Sequence, residues 1–356
     1  MFDLIFRGAE VHDGSGAAPC VADVGVQAGR IAFVGPARRA LAAREIGADG
    51  LVMAPGFIDL HSHADLSLPA FPEARNSVQQ GVTTEVVGNC GFSAAPVVAT
   101  HAASWSTFGQ YLDVLDGRRP MVNVIPLVGH GALRLAAMGF DDRRPSADEL
   151  EVMRRLLLQS LAEGAWGLSS GLDYAPGTFA GSGELVALGT ALAEAQAGYF
   201  THIRSGAATL DEALAEVLAV EAVGVRVHVS HLNSSAAVWH AVPRAIEILS
   251  AVRSRRPTVH ADAYPYTAGA TSLSQLLPSW TTRGGTPALL ERLRSPDVRA
   301  QIKVAMHKGG EAPISGVSFD DVLLTVLILE RNRHWEGHSL ADAARGVGQD
   351  PYQLPV

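Results

Sequence analysis

From Pro55-Gly56 to about residue 268 the chain alternates short, β-rich apolar runs with amphipathic stretches, and this alternation restricts the fold more than any other feature. The runs fall at 57–63, 82–88, 122–128, 165–170, 198–203, 226–231 and 259–264. Parallel neighbours need long crossovers, usually helices, so alternation of this kind selects a parallel sheet covered by helices. Residues 147–163 read as one such helix: Leu150, Met153, Leu156, Leu157 and Leu161 share a face, Ser146 and Glu149 have capping-box spacing, and Gly164 follows. Residues 210–223 repeat the scheme, with Thr209 and Glu212 as the box, Ala213, Leu214, Val217 and Leu218 as the stripe, and Gly224 as the stop. Gly81, Gly164, Gly198 and Gly224 each stand before a run, as expected of residues that close a helix. Seven runs plus one not visible predict an α/β fold of the (β/α)8 barrel type; a doubly wound sheet is the alternative on pattern alone.

Flanking segments read differently. Residues 1–54 carry short alternating runs (4–6, 24–26, 31–34) separated by glycine turns, which predicts a small β-sandwich portion of antiparallel strands. The barrel is expected over 55–283. Residues 284–356 are broken by Gly284-Gly285, Pro287, Pro296, Gly309-Gly310 and Pro313, and read as an insertion-like region holding one strand-like run, Val322 to Leu329.

Composition narrows the function classes. With 47% hydrophobic and 18% charged residues in a chain of 356, a sizeable core can be buried. A net charge of −8 and no basic tract argue against nucleic acid as a partner. No apolar run approaches the ~20 residues of a membrane span, and Asp3 with no basic segment before it does not fit a signal peptide. A cytoplasmic location without membrane association is the expectation, with the oligomeric state left open. Two cysteines, Cys20 and Cys90, do not make a disulfide framework.

The chemistry concentrates at the ends of the runs. His61 and His63 form a His-x-His pair, and residues two apart on a strand point to one face. Cys90 closes the next run; His202 and His231 end the fifth and sixth. Barrel active sites lie at the C-terminal strand ends, and catalytic zinc takes His, Cys and carboxylate ligands while keeping one position for water. Singly, each residue is more often a packed imidazole or a small buried thiol; together they make a zinc site the sharper reading. His228, three residues before His231, should face the opposite side of its strand and serve packing or lie at the surface. His130 is read as a hydrogen-bonded histidine, and Asp262 as a structural acid.

The segment Pro55-Gly56-Phe57-Ile58-Asp59-Leu60-His61-Ser62-His63 resembles the amidohydrolase superfamily. The segments 81–84, 88–96, 167–177, 201–204, 230–232, 264–269 and 276–280 narrow the resemblance to the N-acyl-D-amino-acid deacylases, or D-aminoacylases, over essentially the whole chain. The resemblance implies Zn2+ held tightly by Cys90, His202 and His231, and a second, weaker position lined by His61 and His63. It implies an N-acyl-D-amino acid as substrate, with Tyr264 and Tyr266 near it. Asn233 stands where the family often has a basic residue, and Arg204 is a candidate substitute. The family's general base is an aspartate in a Ser-Asp-Gly-like stretch near the eighth strand. That tripeptide does not occur here, and the matching residue would fall beyond Val356, so the catalytic acid–base residue stays unassigned. By the same comparison the eighth strand and the C-terminal part of the small β domain would be missing. Two rival readings follow: a zinc-binding remnant without its base, and an amidohydrolase acting on a cyclic amide.

Overall fold

The computed structural model describes residues 1–36, 40–97, 104–204, 210–232, 241–309, 312–314 and 317–353. The chain forms two compact units, Met1–Ile58 with Asn76–Thr84, and Asp59–Arg75 with Glu85–Val356.

The first unit is built on a five-stranded sheet. Its strands are β1 (Phe2–Val11), β2 (Cys20–Gln27), β3 (Arg30–Gly35), β4 (Ala42–Gly47) and β5 (Val52–Met53), in the order β3-β2-β1-β4 with β5 also on β1. The β2–β3 hairpin turns at Ala28 and Gly29, both left-handed (φ 51° and 71°), the two-residue geometry that matches strand twist. The Asp3 carboxylate steadies it by accepting the Ala28 N–H at 2.6 Å. The expectation of an antiparallel piece holds for β1–β2 and β2–β3, but β4 and β5 run parallel to β1. Tight turns mark only hairpins; the longer returns into β4 and β5 leave no such mark in the sequence.

The chain passes between the units three times, inside β6 (Phe57–Asp59), at the first residue of a single turn, α1 (Arg75–Val78), and inside β7 (Val82–Val87). Within the second unit it continues through α2 (Phe108–Arg118), β8 (Asn123–Pro126), β9 (Val128–Gly129), α3 (His130–Met138), α4 (Ala147–Ala162), β10 (Gly167–Gly171), α5 (Ser182–Glu194), β11 (Gly198–His202), α6 (Leu210–Glu221), β12 (Arg226–Val229), α7 (Val242–Arg253) and β13 (Val259–Ala261). Two sheet paths result, β6-β7-β8 and β9-β10-β11-β12-β13, the second parallel throughout. The predicted third run is divided between them at Leu127, whose N–H donates to the Val87 carbonyl at 2.9 Å.

Spatial order follows chain order across all seven runs. A doubly wound sheet reverses direction from its first strand, so this order excludes it. Among the described residues no eighth strand pairs with β13 or β6, and the two sheet paths do not close into a barrel. Leu168, Val227 and Val229 in the strands and Leu188, Leu192 and Leu214 in the helices are almost fully buried. Each such side chain contributes roughly 1.5–3 kcal/mol. Gly189 lets α5 and α6 approach, since a Cβ there would lie 2.7 Å from Val220 Cγ1.

The helix signals hold where they can be read. Ser146 accepts the Glu149 N–H and Glu149 accepts the Ser146 N–H, closing the predicted box on α4. An unpredicted box of the same kind, Thr107 with Gln110, opens α2. Thr209 lies outside the described residues. Gly81, Gly164 and Gly224 take positive φ, but the left-handed residue after α5 is Gln196 (φ 55°), and Gly198 simply begins β11.

The C-terminal region is more helical than expected, with α8 (Gly285–Arg294), α9 (Pro296–Lys308) and α10 (Leu340–Val347). Gly284, Gly285, Pro296 and Gly309 stand at helix boundaries, while Pro287 falls within the first turn of α8. The run 322–329 is not a strand: it makes one bridge, Leu323 to Ser339, and Val326 and Ile328 are 80% and 91% exposed. Leu324 alone in this run is deeply buried, against Leu276, Leu340 and Ala343. An apolar run becomes a strand only beside a partner edge, which the sequence pattern cannot supply. No helix among the described residues is long and apolar enough to cross a membrane.

Candidate metal centre

Cys90 sits on a turn after β7, bracketed by Gly88 (φ 80°) and Gly91 (φ 78°) and itself left-handed (φ 54°). A non-glycine residue in that region costs of order 1 kcal/mol and needs support from its surroundings. Ser169 on β10 supplies it: its hydroxyl donates to the Gly88 carbonyl at 2.5 Å and accepts the Gly91 N–H at 3.0 Å. Asn89 donates to the Val86 carbonyl at 2.9 Å. Backbone packs on backbone here. A Cβ on Gly171 would lie 2.0 Å from the Cys90 carbonyl oxygen, and one on Gly129 2.4 Å from that of Gly91.

His61 and His63 lie beyond the end of β6, so strand alternation does not place them as expected. Ser62 does. Its N–H donates to the Val86 carbonyl and its hydroxyl to Glu85 Oε2, both at 2.9 Å, while the His61 N–H donates to Asp59 Oδ1 at 2.9 Å. The two rings still meet, with centroids 5.3 Å apart. His202 ends β11, and His231 follows β12 with a left-handed backbone (φ 36°).

These elements converge on the Cys90 sulfur. Cys90 Sγ lies 3.3 Å from His61 Nε2, 3.5 Å from His231 Nε2 and 3.7 Å from His202 Nδ1. The His202 and His231 rings are 4.5 Å apart, and the His61 and His231 rings 4.8 Å. Two donor groups share the sulfur, His61–His63–Cys90 and Cys90–His202–His231, each with its ligand atoms within 4.8 Å of one another. All five predicted ligands are thus brought together.

Two acids orient the rings. Asp173 Oδ2 is 3.0 Å from His202 Nε2, which turns Nδ1 toward the sulfur. Asp262 accepts the His231 backbone N–H, meets His228 Nε2 at 2.7 Å and stands 3.6 Å from His61 Nδ1. The expectation that His228 serves packing or the surface, apart from the site, is therefore corrected: it reaches the same carboxylate as His61 does. Burial would raise the Asp262 carboxyl, but His228, His61 and the His231 N–H together hold it below the usual range. Burial pushes the Cys90 thiol up to about 12, with Asp262 and Asp173 adding to it, and drives His231 down to about 3. In the metal-free site Cys90 is a thiol and His231 a neutral imidazole. Sequence reasoning missed Asp173; its signal was its place just past a strand that ends beside His202.

The donor set fits zinc. Around a tetrahedral zinc with Zn–S about 2.3 Å and Zn–N about 2.0–2.1 Å, sulfur and nitrogen ligands sit about 3.5 Å apart. The three sulfur–nitrogen separations bracket that value. His61 Nδ1 and His231 Nδ1 are buried beyond hydrogen-bond distance of any partner, so His61 Nδ1 has only the 3.6 Å approach of Asp262 and the His231 ring is held by packing and by whatever its Nε2 binds.

Other predicted residues are placed differently. Arg204 is tied to Glu216 at 2.9 Å and to the carbonyls of Thr178, Ala180 and Leu172 at 2.9, 2.5 and 3.4 Å, bracing the segment that carries Asp173. Tyr264 is half-buried and Tyr266 68% exposed, their rings stacked 6.4 Å apart. Asn233 lies outside the described residues. His130 is buried against Glu184 at 2.7 Å, as a core histidine.

A family model described as the amidohydrolase family matches residues 44–309. The chain is 38% identical over 284 residues to N-acyl-D-glutamate deacylase of Alcaligenes xylosoxydans xylosoxydans, covering 76% of this chain and 58% of that protein. It therefore spans less than two thirds of the length of the curated relatives it matches. The structure of N-acyl-D-glutamate deacylase from Bordetella bronchiseptica, complexed with zinc and a phosphonate inhibitor, superposes with TM-score 0.80 at 32% identity, over 99% of this chain and 69% of the other. A D-aminoacylase structure superposes with TM-score 0.81 at 28% identity over the same shares. With its fold, its matched segment and its convergent cysteine and histidines pointing one way, the chain belongs to the amidohydrolase family.

Proposed function

We propose that this chain forms the metal site of a zinc-dependent hydrolase that cleaves the amide bond of N-acyl-D-amino acids. The observation that carries the reading is the Cys90 sulfur within 3.3–3.7 Å of three imidazole nitrogens. In it, Cys90, His202 and His231 hold the tight zinc, and His61 and His63 line a second position. Bound zinc supplies an activated water and polarises the carbonyl it attacks. The substrate class follows the deacylases to which the chain is similar.

The protein's own groups set the site up. Asp173 holds His202 with Nδ1 free to bind, and Asp262 fixes the backbone of His231 and the near side of His61. Such supporting contacts orient ligands and raise their basicity. Asp262 already accepts from two histidine residues and is held below the usual carboxylate range, which suits an orienting group better than a base working near neutrality. Tyr264 and Tyr266 are the aromatic side chains assigned to the substrate; Arg204, with its guanidinium engaged inside the fold, is assigned to positioning.

The test is zinc content with release of free D-amino acid from N-acetyl-D-methionine. Tightly bound zinc lost in Cys90→Ala, with turnover of the D and not the L substrate, is the expected result. Zinc content unchanged in Cys90→Ala overturns the ligand assignment, and zinc bound without amine release overturns the hydrolase reading.

A further inference from the structure

The run from Val322 to Leu329 carries no charged residue, yet most of it faces solvent. Leu323, Val326, Ile328 and Leu329 are 61%, 80%, 91% and 51% exposed. A lone exposed leucine is ordinary, but four large apolar side chains so close together make a surface of the kind that marks an interaction site. The run is also fixed in place, because Leu324 is buried against Leu276, Leu340 and Ala343.

Its backbone is used on one side. The Leu340 N–H donates to the Val322 carbonyl at 2.8 Å, the Leu324 N–H to the His338 carbonyl at 3.0 Å, and the Gly337 N–H to the Leu324 carbonyl at 2.7 Å. Leu323 stands opposite Ser339 in the antiparallel bridge these bonds frame. Alternate residues of an extended chain turn their N–H and C=O groups to opposite edges. Those of Leu323 and Thr325 therefore point away from 337–340, and they bond to no described residue. An edge of this kind is a template for another chain unless charge or proline blunts it, and this run contains neither.

Charge marks its two ends. Asp320 and Asp321 precede it; Glu330, Arg331 and Arg333 follow, so it starts acidic and ends basic. Asp320 is taken by Arg345 at 3.5 Å, whereas Asp321 and Arg331 are exposed and in no ion pair among the described residues. Two such runs laid parallel would set like charges together. Laid antiparallel, each acidic start meets the other's basic end, and a twofold axis produces that arrangement from identical chains.

We infer that the 322–329 edge is a homodimer interface, on which a second copy of this chain lies antiparallel. Val326 and Ile328 are then covered, and Asp321 faces the partner subunit's Arg331. Stable interfaces bury roughly 1,200–2,000 Å², more than one short run offers, so the dimer should be reversible, with a dissociation constant on the order of 10 μM.

Sedimentation velocity of the full chain, from about 1 to 200 μM, reads this equilibrium. Val326→Lys combined with Ile328→Lys, both at exposed positions, should weaken the dimer at least about tenfold with zinc content unchanged. Asp321→Arg or Arg331→Asp alone sets like charges opposite each other twice per dimer and should weaken it about fivefold; the two together should restore it. A monomer over the whole range overturns the inference, as does a dimer that the lysine pair leaves intact. Single reversals without effect, or not rescued by the double swap, overturn the antiparallel arrangement.

Discussion

Zinc binding at this site should release one proton, and the pH dependence of affinity should show that the proton comes from a deeply buried thiol. Cys90 is 4% exposed, and burial pushes its thiol up to about 12. Zinc takes the thiolate, so the thiol must ionise on binding. At pH 8 an imidazole is already mostly neutral, and His231, driven down to about 3, has no proton to give. The net is about one proton per zinc at the Cys90 site. The sign follows: below the thiol's pKa, apparent affinity rises with pH, about tenfold per unit. An ordinary exposed thiol near 8.5 would level off above pH 9, whereas this one should still be climbing at pH 9.5. Chelator-competition titrations from pH 7 to 9.5 measure the slope, and calorimetry in buffers of different ionisation enthalpy counts the proton. A plateau near pH 8.5, or no proton released, would refute the argument that metal-free Cys90 is a desolvated thiol.

Two further outcomes test the surroundings of the site. Asp173→Asn replaces the carboxylate 3.0 Å from His202 Nε2 and should weaken zinc binding about 10–100-fold while leaving the unfolding midpoint of the metal-free protein nearly unchanged; equal zinc affinity in the two proteins would remove Asp173 from the site's support. Glu184 faces His130 at 2.7 Å and Arg134 at 2.5 Å, all three almost fully buried, and these partners lower its carboxyl against the upward push of burial. Glu184→Gln leaves the Arg134 guanidinium buried without its carboxylate and should cost about 3–5 kcal/mol in urea denaturation; a loss under about 1 kcal/mol would show that water or the carbonyls of Asp141 and Arg143 compensate.

All seven runs contain strand; they could be read as continuous apolar runs most clearly at β10 and β12, which are buried on both faces, whereas β6 and most of β13 are exposed. The helix start at Ser146 was legible for a local reason, since a capping box closes within four residues. Cys90, His202 and His231 could be picked out because each ends its run. The failures have physical causes too. His61 and His63 were assigned a strand they do not occupy, and their convergence depends on Ser62 bonding to β7, a contact between segments more than twenty residues apart. The run 322–329 had the composition of a strand but no partner edge beside it. Parallel pairing of β4 and β5 with β1 left no sequence mark, because register between distant segments is set by tertiary packing.

By itself, then, the sequence determined the order of strands and helices and the donor atoms available at the strand ends, since both follow from residue type and local spacing. Tertiary structure decided what those donors form. Only the convergence of the chain beyond the ends of β6, β7, β11 and β12, with glycine backbones pressed against the Cys90 turn, sets one sulfur 3.3–3.7 Å from three imidazoles. Only that same convergence brings Asp173 and Asp262 behind the rings, because distances across a fold are fixed by contacts among residues far apart in the chain.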